Sequence, residues 1–324
     1  APLTGPLAEY GEAFRNGILL AQEKTDNKNI QFVFEDSAYD SGKAISAYNK
    51  LRSVDNVDIL FNWGDPTSEA LAPLLKDQDL PFLAFTSVAS VTETSPYTIR
   101  PWNKPEDFAE AMWTYLRSKN LKNIAVVKVE NLYLNSLLDE LIKAKRPDES
   151  VTLIDNYLSF GDKDFRTSIG KIRKASSDYD ALGVYLASGQ IGQFYKQSKE
   201  QGLSMPTFGT DFFENQSDID VAGSAIDGAI YANYDVSSDF KAEYRNKFGN
   251  VSQIAYAGNA YDTVMMMDKV NLTNKDTIVA GFAKINGFNG VLGKYAYSEG
   301  AGDRYLASPV HIKLINGGEI EAIK

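Results

Sequence analysis

The first eleven residues, Ala1-Pro-Leu-Thr-Gly-Pro-Leu-Ala-Glu-Tyr-Gly11, form a turn rich in Gly and Pro that leads directly into an amphipathic helix. The turn places backbone N–H groups, the Thr4 hydroxyl and the Tyr10 ring at a helix N-terminus. Such a terminus carries unsatisfied donors and a partial positive charge, which suit a carboxylate or another small polar ligand. The same residues also suit a plain helix cap and a tight turn, so this segment alone leaves both interpretations open.

Helical and strand-like periodicities alternate from this helix onward. Predicted helices cover residues 12–25, 41–52, 68–76, 108–118, 134–145, 165–174, 189–201, 239–248 and 256–271. Predicted strands cover residues 30–35, 59–62, 82–85, 124–129, 151–156, 181–185, 207–210, 229–233, 311–315 and 319–323. This alternation predicts parallel sheets covered by helices on both faces. The segment 99–105 contains two prolines and no periodic pattern, so it is a candidate linker between two similar blocks. Asn316-Gly317-Gly318 predicts a hairpin between the last two strands.

The composition excludes several classes of function. The formal net charge of -10 argues against binding nucleic acid or anionic membrane through a broad patch. The chain has no cysteine and a single histidine, His311, which excludes thiolate catalysis, Cys or His zinc sites and any Ser-His-Asp triad without that residue. His311 lies in an alternating run and is predicted to be an outward-facing strand residue. No apolar run reaches the length of about 20 residues that spans a bilayer.

Two loops that follow predicted strands are rich in hydroxyl groups. Trp63-Gly-Asp-Pro-Thr-Ser68 follows the strand 59–62, and Thr86-Ser-Val-Ala-Ser90 follows the strand 82–85. In open α/β sheets, ligands bind beyond the carboxyl ends of the strands, so these loops could form a polar cradle for a ligand carboxylate or amide. Ordinary N-capping by Ser and Thr is the alternative for either loop. The two loops together with the opening turn favour a binding site.

The second block has three loops in equivalent positions: residues 130–133, 186–190 and 210–213. Asp211 directly follows a strand and is flanked by Phe212 and Phe213, a setting in which a carboxylate could bind a ligand cation or could cap a helix. Tyr133 offers a ring with a hydroxyl group that could cover a bound molecule.

These residues together resemble the type I periplasmic binding proteins of branched-chain amino acid uptake, the Leu/Ile/Val-binding family of ABC transporter receptors. The resemblance is carried by residues 2–11, by Asp36-Ser-Ala-Tyr-Asp-Ser41, and by Tyr256-Ala-Gly-Asn-Ala-Tyr-Asp-Thr263 after the helix 240–248. It implies an α/β fold of two doubly wound parallel-sheet lobes joined by a three-stranded hinge. Residues 1–102 plus 235–307 would form the N-terminal lobe, and residues 103–234 plus 308–324 the C-terminal lobe. The family also has a strand before Pro2, so we expect residues that precede this chain.

The resemblance implies a ligand site at facing loop tips. Tyr10 corresponds to an aromatic contact, the Val88 backbone and the Ser90 hydroxyl to groups that hold the ligand carboxylate, and Tyr133 to a covering ring. Asp211 corresponds to the acid that pairs with the ligand ammonium, and Ser188 to a further contact. Trp63 and Trp102 are expected near the cleft, where they would suit an aromatic ligand, although an isolated Trp is more often a core residue.

Asp65 departs from the family pattern. It aligns where amino-acid binders often have a serine that helps to hold the carboxylate, and an ionised Asp65 would repel that group. The ligand could then carry a further donor or cation, or lack a carboxylate. A protonated or turned-away Asp65, with Thr67 or Ser68 serving instead, would restore binding of an amino acid.

The resemblance implies a binding protein, not an enzyme, that captures an amino acid or related compound in the cleft between the lobes and delivers it to a membrane permease of an ABC transporter. No cofactor, metal or nucleic-acid partner is expected. The expected form is a monomer in the periplasm or elsewhere outside the cytoplasm, without its signal peptide. The alternatives are a sensory domain of the same fold for amides, urea or aromatic acids, and a hydrolase that uses Asp65 and Asp211 as an acid/base pair. A hydrolase would need both carboxyl groups within about 5 to 10 Å of one bond.

Overall fold

The computed structural model describes residues 1–249, 252–300 and 302–323, leaving aside the side chains of residues 155–157. Internal contacts divide the chain into two units: Ala1–Lys104 with Tyr234–Pro309 form unit 1, and Pro105–Asn233 with Val310–Lys324 form unit 2. The chain therefore passes from one unit to the other three times. The lobe boundaries expected from the sequence stay a prediction, because a division by contacts does not test whether two bodies move independently.

The first part of unit 1 alternates helices with short strands. Its elements are α1 (Ala8–Lys24), α2 (Ser41–Ser53), β1 (Leu60–Trp63), α3 (Asp65–Leu75), β2 (Phe82–Phe85), α4 (Ser90–Glu93) and β3 (Thr98–Ile99). The three strands form a parallel sheet in the order β1-β2-β3. All four residues of β2 are buried, as expected for a strand covered on both faces.

The predicted strand at residues 30–35 is wrong. The structure assigns no strand there, and Val33 is 49% exposed. The stretch is linked to Ala1 at its end: the Ala1 amino group donates to Glu35 O at 3.4 Å, and Ser37 N donates to Ala1 O at 3.0 Å. An alternating apolar pattern forms a strand only where a neighbouring strand completes the ladder of hydrogen bonds.

Unit 2 is built from strands and helices in regular alternation. Its first part comprises α5 (Pro105–Ser118), β4 (Asn123–Val129), α6 (Leu132–Lys143), β5 (Ser150–Leu158), α7 (Arg166–Lys174), β6 (Ala181–Tyr185), α8 (Ile191–Glu200), β7 (Thr207–Gly209), α9 (Gln216–Ala222) and β8 (Ile230–Tyr234). The predicted strand at 181–185 has the observed limits, and the other predicted strands of this block are confirmed to within a few residues.

The chain then returns to unit 1 and finally ends in unit 2. The returning part comprises α10 (Ser238–Phe248), α11 (Ile254–Met267), α12 (Lys275–Phe282), β9 (Asn289–Gly290), β10 (Gly293–Lys294), β11 (Ala296–Gly300) and β12 (Asp303–Ala307). The final pair is β13 (Val310–Asn316) and β14 (Glu319–Ile323). The sequence periodicity predicts no element between 272 and 309, where the structure has α12 and the short strands β9 to β12. The predicted hairpin is confirmed, because Asn316 pairs with Glu319 across Gly317 and Gly318.

The sheet of unit 2 has the order β14-β13-β8-β7-β6-β4-β5. Its strands β5, β4, β6, β7 and β8 run parallel, and β13 and β14 pair antiparallel. Because β4 lies between β5 and β6, the strand order reverses at β4, as in doubly wound sheets. The loops that follow β4 and β6 flank this switch point, which is where such sheets bind ligands. The predicted α/β class with parallel sheets is confirmed.

Across the described residues, no helix combines the length and the apolar character needed to cross a bilayer.

Candidate functional site

In unit 1, the sheet register brings the two hydroxyl-rich loops together. Trp63, the last residue of β1, pairs with Phe85, the last residue of β2. The residues that follow them therefore emerge side by side at the carboxyl edge. Gly64 makes the sharp turn from β1 into α3 with φ +117°, and a side chain there would lie 2.7 Å from the Tyr39 ring. This turn places Asp65 at the first position of α3, facing the second loop.

Asp65 is buried and fully engaged by the second loop. Thr86 Oγ1 and Ser87 N donate to its Oδ1 at 2.7 and 2.9 Å, and Ser87 Oγ donates to its Oδ2 at 2.6 Å. An ionised carboxylate accepts hydrogen bonds only, and this set of three donors satisfies it. The Asp65 carboxylate therefore points to Thr86 and Ser87 of its own chain, as in the turned-away conformation considered from the sequence.

Thr67 and Ser68, the substitutes considered for Asp65, are both fully buried. The Asn62 amide donates to Thr67 Oγ1 at 2.9 Å and to Ser68 Oγ at 2.8 Å. The Thr67 hydroxyl lies within hydrogen-bond distance of the carbonyls of Trp63 and Gly64. Neither side chain reaches the surface of unit 1 in this structure.

Val88 and Ser90 lie further along the second loop. Val88 N donates to Thr86 Oγ1 at 3.2 Å, and the Val88 side chain packs against the apolar core beneath β2. Ser90 is exposed at the start of the four-residue helix α4. The roles of both residues in ligand binding stay predictions.

The opening turn already binds a carboxylate of this chain, that of Asp36. Leu3 N, Thr4 N and Ala38 N donate to Asp36 Oδ1, and Thr4 Oγ1 donates to Oδ2 at 2.6 Å. Burial opposes ionisation, yet these hydrogen bonds lower the pKa of Asp36 to about 2. Thr4 is therefore part of a turn held by Asp36, and it does not cap α1, whose N-cap residue is Leu7 without a side-chain hydrogen bond.

An aromatic cluster lies beside these loops in unit 1. Tyr10 stacks on Trp63 with ring centroids 5.6 Å apart, and the Tyr256 ring contacts both of them edge-on at 5.0 and 5.6 Å. Trp102 stacks on Tyr256 at 5.5 Å and meets Tyr234 edge-on at 5.9 Å. The structure thus brings the predicted residues Tyr10 and Trp102 together through Tyr256, which sequence reasoning did not include among the site residues.

A buried arginine holds the second loop from below. Arg100 is fully buried and forms a two-pronged ion pair with Asp303, with nitrogen to oxygen distances of 3.0 and 2.8 Å. Its third nitrogen donates to the Thr86 carbonyl at 2.7 Å. The planar guanidinium group therefore fixes Thr86, and through it Asp65, by geometry that lysine cannot reproduce.

In unit 2, the predicted residues Tyr133 and Asp211 lie near each other. Asp211 is the first residue of a short 3-10 turn after β7, and Phe212 in the same turn packs against the Tyr133 ring with centroids 5.7 Å apart. A side chain on Gly209 would lie 2.0 Å from Phe213, so the turn requires glycine there. Asp211 also lines a cavity of about 20 Å³ together with Tyr185, Thr210 and apolar side chains of α5. This volume is enough for about one water molecule.

Ser188 is half-buried in the loop after β6. Its neighbours anchor that loop: Gly189 N donates to Asp218 Oδ2 at 2.6 Å, and the Gln190 amide donates to Ser159 O at 2.7 Å. Ser188 thus lies at the switch point of the sheet, and its contact with a ligand stays a prediction.

A buried polar network surrounds Glu214, three residues after Asp211. Glu214 Oε2 accepts hydrogen bonds from Lys313 Nζ and Asn233 Nδ2, both at 2.7 Å, and from the Tyr231 hydroxyl at 3.2 Å. Lys313 is 1% exposed. The network links the turn after β7 to β8 and β13. The chain leaves unit 2 at the end of β8 and returns to it at the start of β13. Sequence reasoning missed it, because Lys313 looks like an exposed residue of an alternating strand.

A larger groove of about 480 Å³ opens at the other edge of the unit 2 sheet, lined by α8, by the loop 202–206 and by residues 224–228. It lies at the amino ends of β6 and β7, away from the edge where open α/β sheets bind ligands. Among the described residues, no three His, Asp or Glu side chains form a metal-binding group.

Comparisons with known proteins identify relatives of this chain. Residues 1–312 match the family described as "Periplasmic binding protein". The chain is 26% identical over 243 residues to the leucine-, isoleucine-, valine-, threonine- and alanine-binding protein of Pseudomonas aeruginosa; the match covers 71% of this chain and 63% of that protein. It is 21% identical over 319 residues to the Leu/Ile/Val-binding protein of Escherichia coli K12, covering 92% of this chain and 84% of that protein.

The fold also matches solved structures. A solute-binding protein of an ABC transporter from R. palustris, in complex with benzoate, superposes with a TM-score of 0.83 at 18% identity. The match covers 99% of this chain and 93% of that chain, and at this identity it shows a shared fold. Because the family match spans nearly the whole sequence, the chain belongs to the Periplasmic binding protein family.

Proposed function

We propose that this chain is an extracytoplasmic solute-binding protein of an ABC transporter, which captures a small polar solute and delivers it to a membrane permease. The observation that carries this proposal is the position of the predicted ligand residues: apart from Tyr10 in α1, they follow the carboxyl ends of parallel strands in each unit. Family membership and the names of the relatives support the same function.

The chemistry of the two groups of residues supports binding without covalent change. Unit 1 offers the rings of Tyr10 and Trp102, and unit 2 offers the Tyr133 ring and the Asp211 carboxylate. Rings and a single buried carboxylate bind a solute by contact area and charge. We propose that both groups bind the same solute molecule, so that a ligand stabilises the form in which both are engaged.

A thermal-shift screen tests the proposal. A solute at about 100 times its Kd stabilises the folded chain by about 2.7 kcal/mol, which raises Tm by several degrees. We expect a saturable shift from at least one amino acid, amine, amide or aromatic acid, and 1:1 binding by calorimetry. An absence of saturable binding across such a panel would contradict the proposal.

Asp211→Ala tests the assignment of the unit 2 carboxylate. If Asp211 pairs with a ligand ammonium, this variant loses the shift from every hit that carries an ammonium group. Asp178→Asn removes an exposed carboxylate elsewhere in unit 2 and serves as the control. Unchanged binding by Asp211→Ala would remove Asp211 from the site.

Delivery to a permease requires a separate measurement. We expect the loaded chain to stimulate ATP hydrolysis and solute uptake by its partner ABC permease, reconstituted in vesicles. A chain that binds its solute and stimulates no permease would be a sensor of the same fold.

A further inference from the structure

We propose that the solute of this protein is a small organic cation without a carboxylate group. The inference rests on the proposed function and narrows its ligand class. It comes from the hydrogen-bond donors at the carboxyl edge of the unit 1 sheet, which are already occupied by carboxylates of the chain itself.

The first occupied set is the loop after β2. Thr86 Oγ1, Ser87 N and Ser87 Oγ all donate to Asp65, at 2.6 to 2.9 Å. A buried anion must be hydrogen-bonded, so a ligand carboxylate at this loop could not use these three donors while they bind Asp65. The Asp65 carboxylate thus already occupies the first donors of this loop, those nearest to the end of β2.

The second occupied set is the opening turn. Its donors Leu3 N, Thr4 N and Thr4 Oγ1, with Ala38 N, bind the Asp36 carboxylate. The two donor-rich segments predicted to bind an anionic ligand therefore each hold an aspartate of unit 1. The same edge has Thr67 and Ser68 buried against Asn62, which leaves them no contact with a solute.

Val88 N, the backbone donor expected to hold a ligand carboxylate, lies close to the Asp65 charge. Val88 N donates to Thr86 Oγ1, which itself donates to Asp65, so Val88 N is at most about 6 Å from Asp65 Oδ1. An anion bound there would be repelled by a buried carboxylate at short range. The repulsion corresponds to a penalty on the order of a hundredfold in Kd.

Within the part of the chain that the structure describes, no cation forms an ion pair with Asp65. Arg100, which contacts the same loop through Thr86 O, and Lys104 both pair with Asp303, and neither forms an ion pair with Asp65. Glu69, one turn along α3, adds a second acidic group, and burial together with the Asp65 charge raises its pKa. The local field at this edge therefore favours a positively charged solute.

The neighbouring rings suit the same class of solute. Tyr10, Trp63 and Tyr256 are in mutual contact beside Gly64 and Asp65. Aromatic rings attract cations through their quadrupole, and they repel carboxylates for the same reason. Apolar contact and charge thus favour an amine, amidine or quaternary ammonium compound with an apolar body.

Matched pairs of compounds test the inference on the unmodified protein. Each pair differs in its carboxylate: leucine against isopentylamine, phenylalanine against phenethylamine, and benzoate against benzamidine. We expect calorimetric binding of at least one cation, with the matching carboxylate at least tenfold weaker. A carboxylate that binds as tightly as its partner would overturn the inference and leave the proposed function intact. A chain that binds none of these and no other solute would fail the proposed function, and this inference with it.

Asp65→Asn tests the cause of the selectivity. The variant keeps the shape of the side chain and removes its charge. For each matched pair, we expect the ratio of the Kd of the carboxylate compound to the Kd of the cation to fall at least tenfold. Asp77→Asn removes an exposed charge just beyond the same helix and should leave the ratio unchanged. A ratio that Asp65→Asn does not alter would show that Asp65 is structural, which overturns its assigned role. The matched pairs still decide the ligand class if this variant does not fold.

Discussion

Lys313 Nζ donates to Glu214 Oε2 at 2.7 Å, and both side chains are buried in unit 2. Taking two charges out of water is costly, so such a pair adds little net stability, but the loss of one partner leaves the other charge buried and unpaired. Glu214 N donates to Asp211 O across the short turn after β7. The network therefore helps to fix Asp211, whose carboxylate we propose binds the ligand.

Lys313→Met should therefore destabilise the protein by about 3 to 5 kcal/mol, measured by urea unfolding. The double variant Lys313→Met with Glu214→Gln removes both charges and should recover most of that loss. Lys122→Met breaks an ion pair of the same length to Asp148 on the surface and should cost at most about 1 kcal/mol. Equal losses in the buried and the exposed variants would contradict the argument.

Arg100→Lys should lower the free energy of unfolding by about 2 to 4 kcal/mol, although it keeps the charge. A lysine makes neither the two-pronged contact with Asp303 nor the bond to the Thr86 carbonyl, and Arg100 is fully buried. Arg166→Lys, at an exposed pair with Asp164, should change stability by less than about 0.5 kcal/mol. If Arg100→Lys is as stable as the unmodified chain, the arginine does not hold the loop.

The buried carboxyl of Asp262 predicts a dependence of stability on pH. Burial raises its pKa to about 7, although Val291 N and Leu292 N donate to its two oxygens and act in the opposite direction. The folded chain therefore holds this proton more tightly than the unfolded chain, whose pKa is about 3.8. The stabilisation is fully present below about pH 4, decreases as pH rises toward 7 and is lost above it.

Between pH 5 and pH 8 this group should lower the free energy of unfolding by about 2 to 3 kcal/mol. Asp262→Asn carries no titrating group, so its unfolding curves should lack this decrease, whatever its stability at a single pH. Asp276→Asn, at an exposed site on α12, should keep the pH dependence of the unmodified chain. If the free energy of unfolding of Asp262→Asn still decreases between pH 5 and pH 8, another group causes the decrease.

Much of the fold could be predicted because each element carries its own periodic signal. The limits of β2 and β6 agree with the sequence pattern, since short runs of buried residues between turns leave little choice of register. The predicted strand at 30–35 failed because a strand also needs a neighbour, and the neighbour is not part of the local pattern.

Some contacts of the site could likewise be predicted from local patterns, and others could not. The meeting of Asp65 with Ser87 follows from parallel strands of known limits, because residues after Trp63 and Phe85 must emerge side by side. The hydrogen bond from the Thr4 hydroxyl to Asp36 joins residues 32 positions apart, and the turn that contains Thr4 has no periodic pattern. Tyr256 reaches Tyr10 only because α11 returns to pack on α1, a long-range contact that propensity and pattern do not encode.

The chain contains three tryptophans, which provide a direct test of where the solute binds. Trp63 and Trp102 belong to the aromatic cluster of unit 1, whereas Trp113 is fully buried in unit 2, where its indole N–H donates to Leu141 O at 2.8 Å. A solute that contacts the cluster changes the surroundings of Trp63 or Trp102 and leaves Trp113 in place.

We therefore expect that titration with any bound solute changes the intrinsic fluorescence of Trp113→Phe as much as that of the unmodified protein. The double variant Trp63→Phe with Trp102→Phe keeps Trp113 as its emitter and should lose most of the change, even where calorimetry shows that the solute still binds. The reverse pattern, in which Trp113→Phe loses the signal and the double variant retains it, would mean that the solute does not contact the unit 1 cluster. Aromatic contact would then be confined to Tyr133 and its neighbours in unit 2, and the cluster around Tyr256 would be part of the core alone.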